Sequence, residues 1–570
     1  VGARLGHSMS RRVARAKLAS FLTVLLFGAV LARLGQIQLL QHNRYARQAE
    51  RQHTHRVEEE ARRGKIFDRN GALMAGNRAV VTFEVYWPSV EEGGQSLVDS
   101  LVERLGGYAC VSRPLQRRGV NQILARDVPY DSAAAFIAEG LPTGVNWTVG
   151  SRRTYPLGDA AASIVGRYSA DHAEGLESSR GSLLAGSDGV RYVRYSGRSD
   201  VCLTVPEAEN SPPRDGLDLM LTIDSRLQAL SMEYLREAVD SSRSSWGAVV
   251  MVDPACGDVL AMASYPVRCD NGALAMNHCL QGYHEPGSTF KLVTIAACLE
   301  EGIVDPLDTF DCSRGQIAVA DRTISDCHEF GELTVEEIFA HSSNVGTIKL
   351  AELLDDDVFY GYCTDMGFGS RTGIELPGES SGLLSPPSRW SGVSKASIAI
   401  GQEVTVTPLQ LAMAYAAVAN GGVLYQPRLV RACRGQEGWQ ELATFSRRRV
   451  MSRETAAEIR RMMRLAVEEG TAASARVGGV DVAGKTGTAE RLSLGDDEYL
   501  SAFAGIVPVE SPRLVTVIVM DSPDYEYRFG SALAAPLFAE VVDQAIGVEP
   551  ALALSPLESD GTHLAAEVEQ

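Results

Sequence analysis

The sequence has 570 residues and a mass of 61.3 kDa, which suggests two to four domains. With 45% hydrophobic and 22% charged residues, 54 Gly and 23 Pro, it is not a disordered, collagen-like or many-span membrane chain. A net charge of -18 argues against nucleic acid as a partner, and ten cysteines are too few for a disulfide-built scaffold.

Residues 1–17 carry Arg4, Arg11, Arg12, Arg15 and Lys17 and no acid. The next stretch, LASFLTVLLFGAVLA at 18–32, has no charge, and its apolar character resumes after Arg33 and fades near Leu40. This predicts an uncleaved signal anchor over 18–40, because no clean A-x-A site follows that would favour a cleaved peptide over an anchor. The basic segment 1–17 then stays in the cytoplasm and the rest lies outside it. Residues 41–60 are polar and helix-compatible, like a stalk. DRNG at 68–71 is a turn between short apolar stretches, 80–87 alternates like a strand, and 91–150 is expected to be mostly amphipathic helix. The region 151–215 has small-residue helix and Gly- and Ser-rich runs. Together 41–222 is expected to be one elongated, irregular α+β pedestal domain.

A second domain is expected over 223–547. It opens with a cap near Asp224 and a helix, then two strands around ACGD in 246–266. Apolar helices follow from 288, over 333–354 with a break at 342–344, over 407–422 and over 452–470. Three strands within 480–523 and a helix at 532–545 close it. The fold class is α+β, an antiparallel sheet covered by helices. Residues 548–570, acidic and without Lys or Arg, are expected to be a disordered tail. Among the cysteines no CxxC and no Cys/His cluster with zinc-ligand spacing occurs, so no metal is expected. Cys312 and Cys327 bracket a segment suited to a hairpin, where an oxidising compartment permits a disulfide. Alternatively, most cysteines are small buried hydrophobes.

Three short elements carry chemistry. In STFK, at 288–291, Ser288 and Lys291 share a helix face, so a neutral Lys291 can serve as base for a serine that is otherwise a weak nucleophile. In SSN, at 342–344, Ser342 offers a second hydroxyl for proton relay and Asn344 an amide to orient a substrate backbone, although a plain polar cap or turn is the stronger reading in isolation. In KTGT, at 485–488, Lys485 supplies a cation, Thr486 and Thr488 hydroxyls for a carboxylate, and Gly487 room for a close backbone approach, although alone a solvated edge-strand lysine followed by a turn is the stronger reading. The backbone N–H groups of Ser288 and Thr488 suit an oxyanion hole. SxxK, SxN and KTGT occur in the order of the penicillin-recognising serine acyltransferases, with Ser342 54 residues after Ser288 and Lys485 143 residues after Ser342.

With these elements, RGKIFDRNG at 63–71, RTYPLG at 153–158, EPGSTFK at 285–291, SSNVGTIKLA at 342–351, GFGSRTGIELPGE at 367–379 and AGKTGTAE at 483–490 make the chain resemble the class B, monofunctional penicillin-binding proteins, most closely the division-specific FtsI type. That resemblance implies a peptidoglycan D,D-transpeptidase. Ser288 attacks the carbonyl between the terminal D-alanines of a donor stem peptide, Lys291, Ser342 and Lys485 move protons, and Asn344, Thr486, Gly487 and Thr488 hold the donor. The implied partners are stem peptides on lipid-linked nascent glycan, β-lactam antibiotics, and the SEDS glycosyltransferase FtsW with other divisome membrane proteins. No cofactor is implied. The segment 267–284 lacks the family's asparagine-rich form, and the cysteines are more numerous than usual. An elongation-type enzyme paired with RodA, a sporulation variant, a D,D-carboxypeptidase, a β-lactam sensor and a silent divisome scaffold are the alternatives.

Overall fold

The computed structural model describes residues 2–107, 121–169, 171–195, 202–204, 210–443, 446–490 and 499–553. They form two compact units, Val1–Arg62 with Gly186–Gly216 and Arg63–Ala185 with Leu217–Gln570.

In the first unit the helix Gly2–Gly35 passes into a π-helical turn, Gln36–Leu40, and a second helix, His42–His53. Within Val13–Leu40 an 18-residue window reaches a mean hydropathy of 2.0, and none of that window is buried. Phe21, Leu26 and Phe27 are each more than 60% exposed, so this surface requires a non-aqueous surrounding. At 28 residues the stretch is long enough to cross a bilayer. The polar helix expected over 41–60 stops at His53, because Thr54–Glu59 pairs antiparallel with Gly189–Tyr195.

The second unit is organised around a five-stranded antiparallel sheet. From one edge its strands run Asp258–Tyr265, Trp246–Asp253, Leu514–Asp521, Tyr499–Val507 and Ala483–Glu490. Both faces are covered, which explains why the central strands are apolar throughout rather than alternating. On one face Ser225–Ser242 and Ala534–Val548 bury Leu235, Val239, Phe538 and Val542 against Val249, Phe503 and Ile518. On the other, Lys291–Glu300 and Pro408–Ala419 lie against Val250, Ala504 and Val517. Pro408–Ala419 is buried along its whole length and begins with a capping box between Thr407 and Gln410. Asp224 caps Ser225–Ser242, as its position in the sequence suggests.

Conserving geometry around this core are several buried acids. Glu177, fully buried, accepts from Arg63 Nε and Arg153 Nε at 2.6 Å each, which ties RGKIFDRNG to RTYPLG. Asp68 accepts from the backbone N–H groups of Asn70 and Ala72 through one oxygen and from Ser225 through the other, so the 68–71 turn is fastened to the helix that Ser225 opens. In GFGSRTGIELPGE, Glu379 accepts from Thr372 and Gly373, and Glu375 accepts from the N–H groups of Leu429 and Val430.

The expectation of mostly helix over 91–150 is only half met. Gln95–Arg104 and Tyr130–Glu139 are helices, but Asn121–Pro129 and Val145–Thr154 are strands, each paired antiparallel with Leu73–Tyr86. Val145–Thr154 is exposed along most of its length, so no alternation of side chains marks it as a strand. A hairpin of Gln316–Val319 and Arg322–Ser325 does form between Cys312 and Cys327, but both cysteines are free thiols, Cys312 buried and Cys327 exposed. Cys279, Cys298 and Cys363 are also free and buried, which is the small-hydrophobe reading, whereas Cys110 lies outside the described residues. The acidic tail expected over 548–570 lies outside them from 554 onward; before that point Leu552, in the turn Pro550–Leu552, is buried in the core.

Candidate active site

The three motifs, scattered over 200 residues of sequence, converge at one end of the sheet. Ser288 lies in the 3-10 turn Gly287–Phe290, which leads directly into the helix Lys291–Glu300. This turn is held from several sides. Gly287 donates its N–H to Gly401 O at 3.0 Å, Thr289 Oγ1 donates to Pro286 O at 2.7 Å, and the buried Tyr415 hydroxyl donates to Thr289 O at 2.9 Å. The fit leaves no space for side chains. A Cβ on Gly287 would come within 2.6 Å of Thr488 O, and one on Gly401 within 2.0 Å of Gly287 O. Both glycines have positive φ, +53° and +82°.

SSN sits between two helices. Thr334 and Glu337 form a capping box on Val335–Ala340, Ser342 adopts a left-handed φ of 64°, and Ser343 caps Asn344–Glu352. A left-handed serine costs energy and is held there by its surroundings. Asp326, at the end of the hairpin, supplies that hold. Its carboxylate accepts from Ser343 Oγ at 2.8 Å and from the N–H groups of Asn344 and Val345.

KTGT lies on the edge strand Ala483–Glu490, in register with Tyr499–Val507. Lys485 is fully buried and donates to Ser342 Oγ at 2.8 Å. Lys291, also fully buried, donates to the same Ser342 Oγ at 3.2 Å, to Ser342 O at 2.5 Å and to Asn344 Oδ1 at 2.8 Å. Ser342 therefore stands between two buried lysines. Neither amine is hydrogen-bonded to a carboxylate among the described residues. Burial pushes the Lys291 amine down to about 7, against weaker opposing effects of Asp326 and Cys327. Lys485 is held well below the usual lysine range, first by burial and then by the Lys291 charge. A hydroxyl between two buried amines, both held below the usual lysine range, can pass a proton in either direction.

Ser288 is half-buried, and its hydroxyl makes no hydrogen bond among the described residues. Thr488 is also half-buried and its Oγ1 accepts from the Gly530 N–H at 3.2 Å. Gly487 is close to the turn Gly287–Phe290, since a Cβ there would meet Thr289 Cγ2 at 2.9 Å and Pro286 O at 3.0 Å. Thr486 is buried and its hydroxyl is paired with that of Thr471 at 2.8 Å. Sequence reasoning missed Gly401, Tyr415, Asp326 and Thr471. Only Gly401 left a local signal, a glycine one residue past the C-cap Ile400 of the short helix Ser394–Ala399.

The chain matches the family model "Penicillin binding protein transpeptidase domain" over residues 247–543 and "Penicillin-binding Protein dimerisation domain" over residues 58–221. This chain is a class B penicillin-binding protein. Among curated relatives, the class B protein resembles "Stage V sporulation protein D" of Bacillus subtilis at 30% identity, covering 93% of this chain and 86% of the relative. It resembles "Penicillin-binding protein PbpB" of Mycolicibacterium smegmatis at 34% identity, covering 84% and 82%. Among solved structures, a peptidoglycan synthetase from Bifidobacterium adolescentis has a TM-score of 0.71 at 25% identity, covering 88% of this chain and 98% of that one. Penicillin-binding protein 3 of Mycobacterium tuberculosis in complex with aztreonam has a TM-score of 0.67 at 28% identity, covering 88% and 99%. As a class B penicillin-binding protein, the chain is a monofunctional serine-type D,D-transpeptidase, and Val13–Leu40 is its membrane span, with the transpeptidase domain outside the cytoplasm.

Proposed function

We propose that this transpeptidase cross-links septal peptidoglycan during cell division, with Ser288 as nucleophile. The carrying observation is Ser342 Oγ held between the Lys291 and Lys485 amines, with Lys291 three residues after a half-buried Ser288. Ser288 Oγ attacks the carbonyl between the terminal D-alanines of a donor stem peptide. Neutral Lys291 takes the hydroxyl proton, the Ser288 and Thr488 N–H groups receive the developing oxyanion, and the proton passes through Ser342 to the leaving D-Ala amine. An acceptor amine then attacks the acyl-enzyme and Ser288 is regenerated. Lys485 keeps Ser342 oriented, Asn344 binds the donor backbone, and Thr488, beside Gly487, accommodates the terminal carboxylate, while Thr486, its hydroxyl turned to Thr471, supports that contact through the strand. β-Lactams imitate the donor and acylate Ser288.

The division role is supported by relatives named PbpB and PenA. On this reading the pedestal spans 41–222 and the catalytic domain 223–547, and the chain works beside the SEDS glycosyltransferase FtsW and other divisome membrane proteins on lipid-linked nascent glycan. Purified full chain given a donor pentapeptide and an acceptor amine is expected to yield cross-linked product; hydrolysed donor alone would make it a carboxypeptidase. A tagged copy is expected at midcell during constriction, and lateral-wall patches would reassign it to elongation.

A further inference from the structure

Away from the catalytic centre, the second unit carries a half-open cavity of about 510 Å³ on the sheet that Leu73–Tyr86 shares with Asn121–Pro129 and Val145–Thr154. Its wall is arginine-rich in a chain of net charge -18. Arg78 and Arg152 stand directly opposite each other across two antiparallel strands. Like charges in that position destabilise a sheet. Arg167 lies on another part of the rim, and Arg153 completes the lining.

The acids nearby do not neutralise this group. Arg78 has no acidic partner among the described residues. Glu177 is shared by Arg153 and Arg63, and Asp159 by Arg167 and Arg268, so each cluster retains one positive charge. Only Asp127 faces the opposed pair, 3.4 Å from Arg152, from a residue held at a left-handed φ of 58°. Arg153 adds a second, independent sign. Its side chain is 5% exposed, yet its buried Nη2 has no hydrogen-bond partner. A buried guanidinium N–H without an acceptor is costly.

We propose that this cavity is a binding site for a diphosphate group, separate from the D-Ala-D-Ala chemistry of Ser288. Two opposed guanidinium forks with a third across the cavity suit a multiply charged oxyanion, since each fork takes two oxygens in parallel hydrogen bonds. A single carboxylate leaves most of the surplus charge uncompensated. Val80, Pro129 and the rings of Tyr155 and Tyr168 give the same cavity an apolar side, against which a group attached to the diphosphate can rest. The diphosphate comes either from free pyrophosphate or from a lipid-linked diphosphate.

The test is pyrophosphate binding to the full-length chain by calorimetry. Arg78→Gln is expected to weaken binding at least tenfold, and Arg167→Gln on the other rim to weaken it similarly. Asp127→Asn removes the competitor for Arg152 while keeping a side chain that tolerates left-handed backbone, so binding should tighten severalfold. Without pyrophosphate, Arg78→Gln should melt no lower than the parent, because it relieves like-charge repulsion, and its acylation by a labelled penicillin should be unchanged. Reconstitution in nanodiscs with and without a polyprenyl diphosphate separates the sources. An Arg78-dependent thermal shift confined to the diphosphate discs identifies the lipid, and a shift from pyrophosphate alone, equal in both discs, identifies the free anion. Pyrophosphate binding no tighter than sulfate, binding indifferent to both arginine variants, or tighter binding of a hexaglutamate peptide would overturn the proposal.

Discussion

Lys291 is a fully buried amine surrounded by hydroxyl, carbonyl and amide oxygens rather than by a paired carboxylate. Its pKa is pushed down to about 7, so acylation by a β-lactam should fall about tenfold per pH unit below that value as the base is protonated. The sign for stability follows from the same shift. The unfolded chain binds this proton up to the ordinary lysine range, whereas the folded chain releases it near 7. Burial of the charged amine is therefore a full penalty below pH 7 that is relieved as pH rises above it. Stopped-flow acylation across pH 5 to 9 checks the first statement; a flat profile below 7 would remove Lys291 as base. Ser342→Ala should lower acylation by about 10²–10⁴, the range for loss of a proton-transfer group, with the fold retained because the Asp326 contacts use Ser343 and the backbone of Asn344 and Val345. Circular dichroism of the same preparation separates loss of chemistry from loss of structure.

At the scale of elements, the nucleophile turn depends on its neighbours. Gly401→Ala places a methyl against Gly287 O at a position whose φ is +82°, and should destabilise the chain by about 1–3 kcal/mol and displace Ser288. Tyr415→Phe leaves Thr289 O, inside the core, without its donor and should cost about 1–3 kcal/mol. Thermal melts measure both, and acylation should drop more in Gly401→Ala because only that substitution pushes on the turn itself. How much of this was legible follows from what each element shows in its sequence. The central strands and Pro408–Ala419 are apolar along their length, and Asp224 and Ser452 mark helix starts that the structure retains. The sequence over 91–150 suggests mostly helix, yet Val145–Thr154 is a strand held by backbone hydrogen bonds with its side chains facing water, so its pattern carries no period. The motif residues were visible one by one, but nothing in spacings of 54 and 143 residues encodes that Lys291 and Lys485 meet at Ser342. That meeting is a product of the sheet order, which brings the edge strand Ala483–Glu490 beside the turn Gly287–Phe290.

For the whole molecule, the apolar stretch Val13–Leu40 and the transpeptidase domain belong to different sides of one topology. Protease added to intact spheroplasts should remove the catalytic domain, and the chain should stay with the membrane after an alkaline wash; protection of the domain would reverse the orientation. The redox environment outside the cytoplasm also bears on the thiols. Cys279, Cys298 and Cys363 are buried, with burial raising each thiol's pKa, so they should resist alkylation in the folded chain, while Cys269 and Cys327 are exposed and should be modified first. Peptide mapping after brief iodoacetamide treatment checks the order.

The central claim is that Ser288 becomes the acyl-enzyme. Intact-mass spectrometry of the full chain after penicillin treatment, followed by peptide mapping, tests it most directly. The account predicts one adduct of the full β-lactam mass on the peptide that contains Ser288, absent in Ser288→Ala. Equal labelling of Ser288→Ala, or an adduct on any other residue of the parent chain, would contradict it.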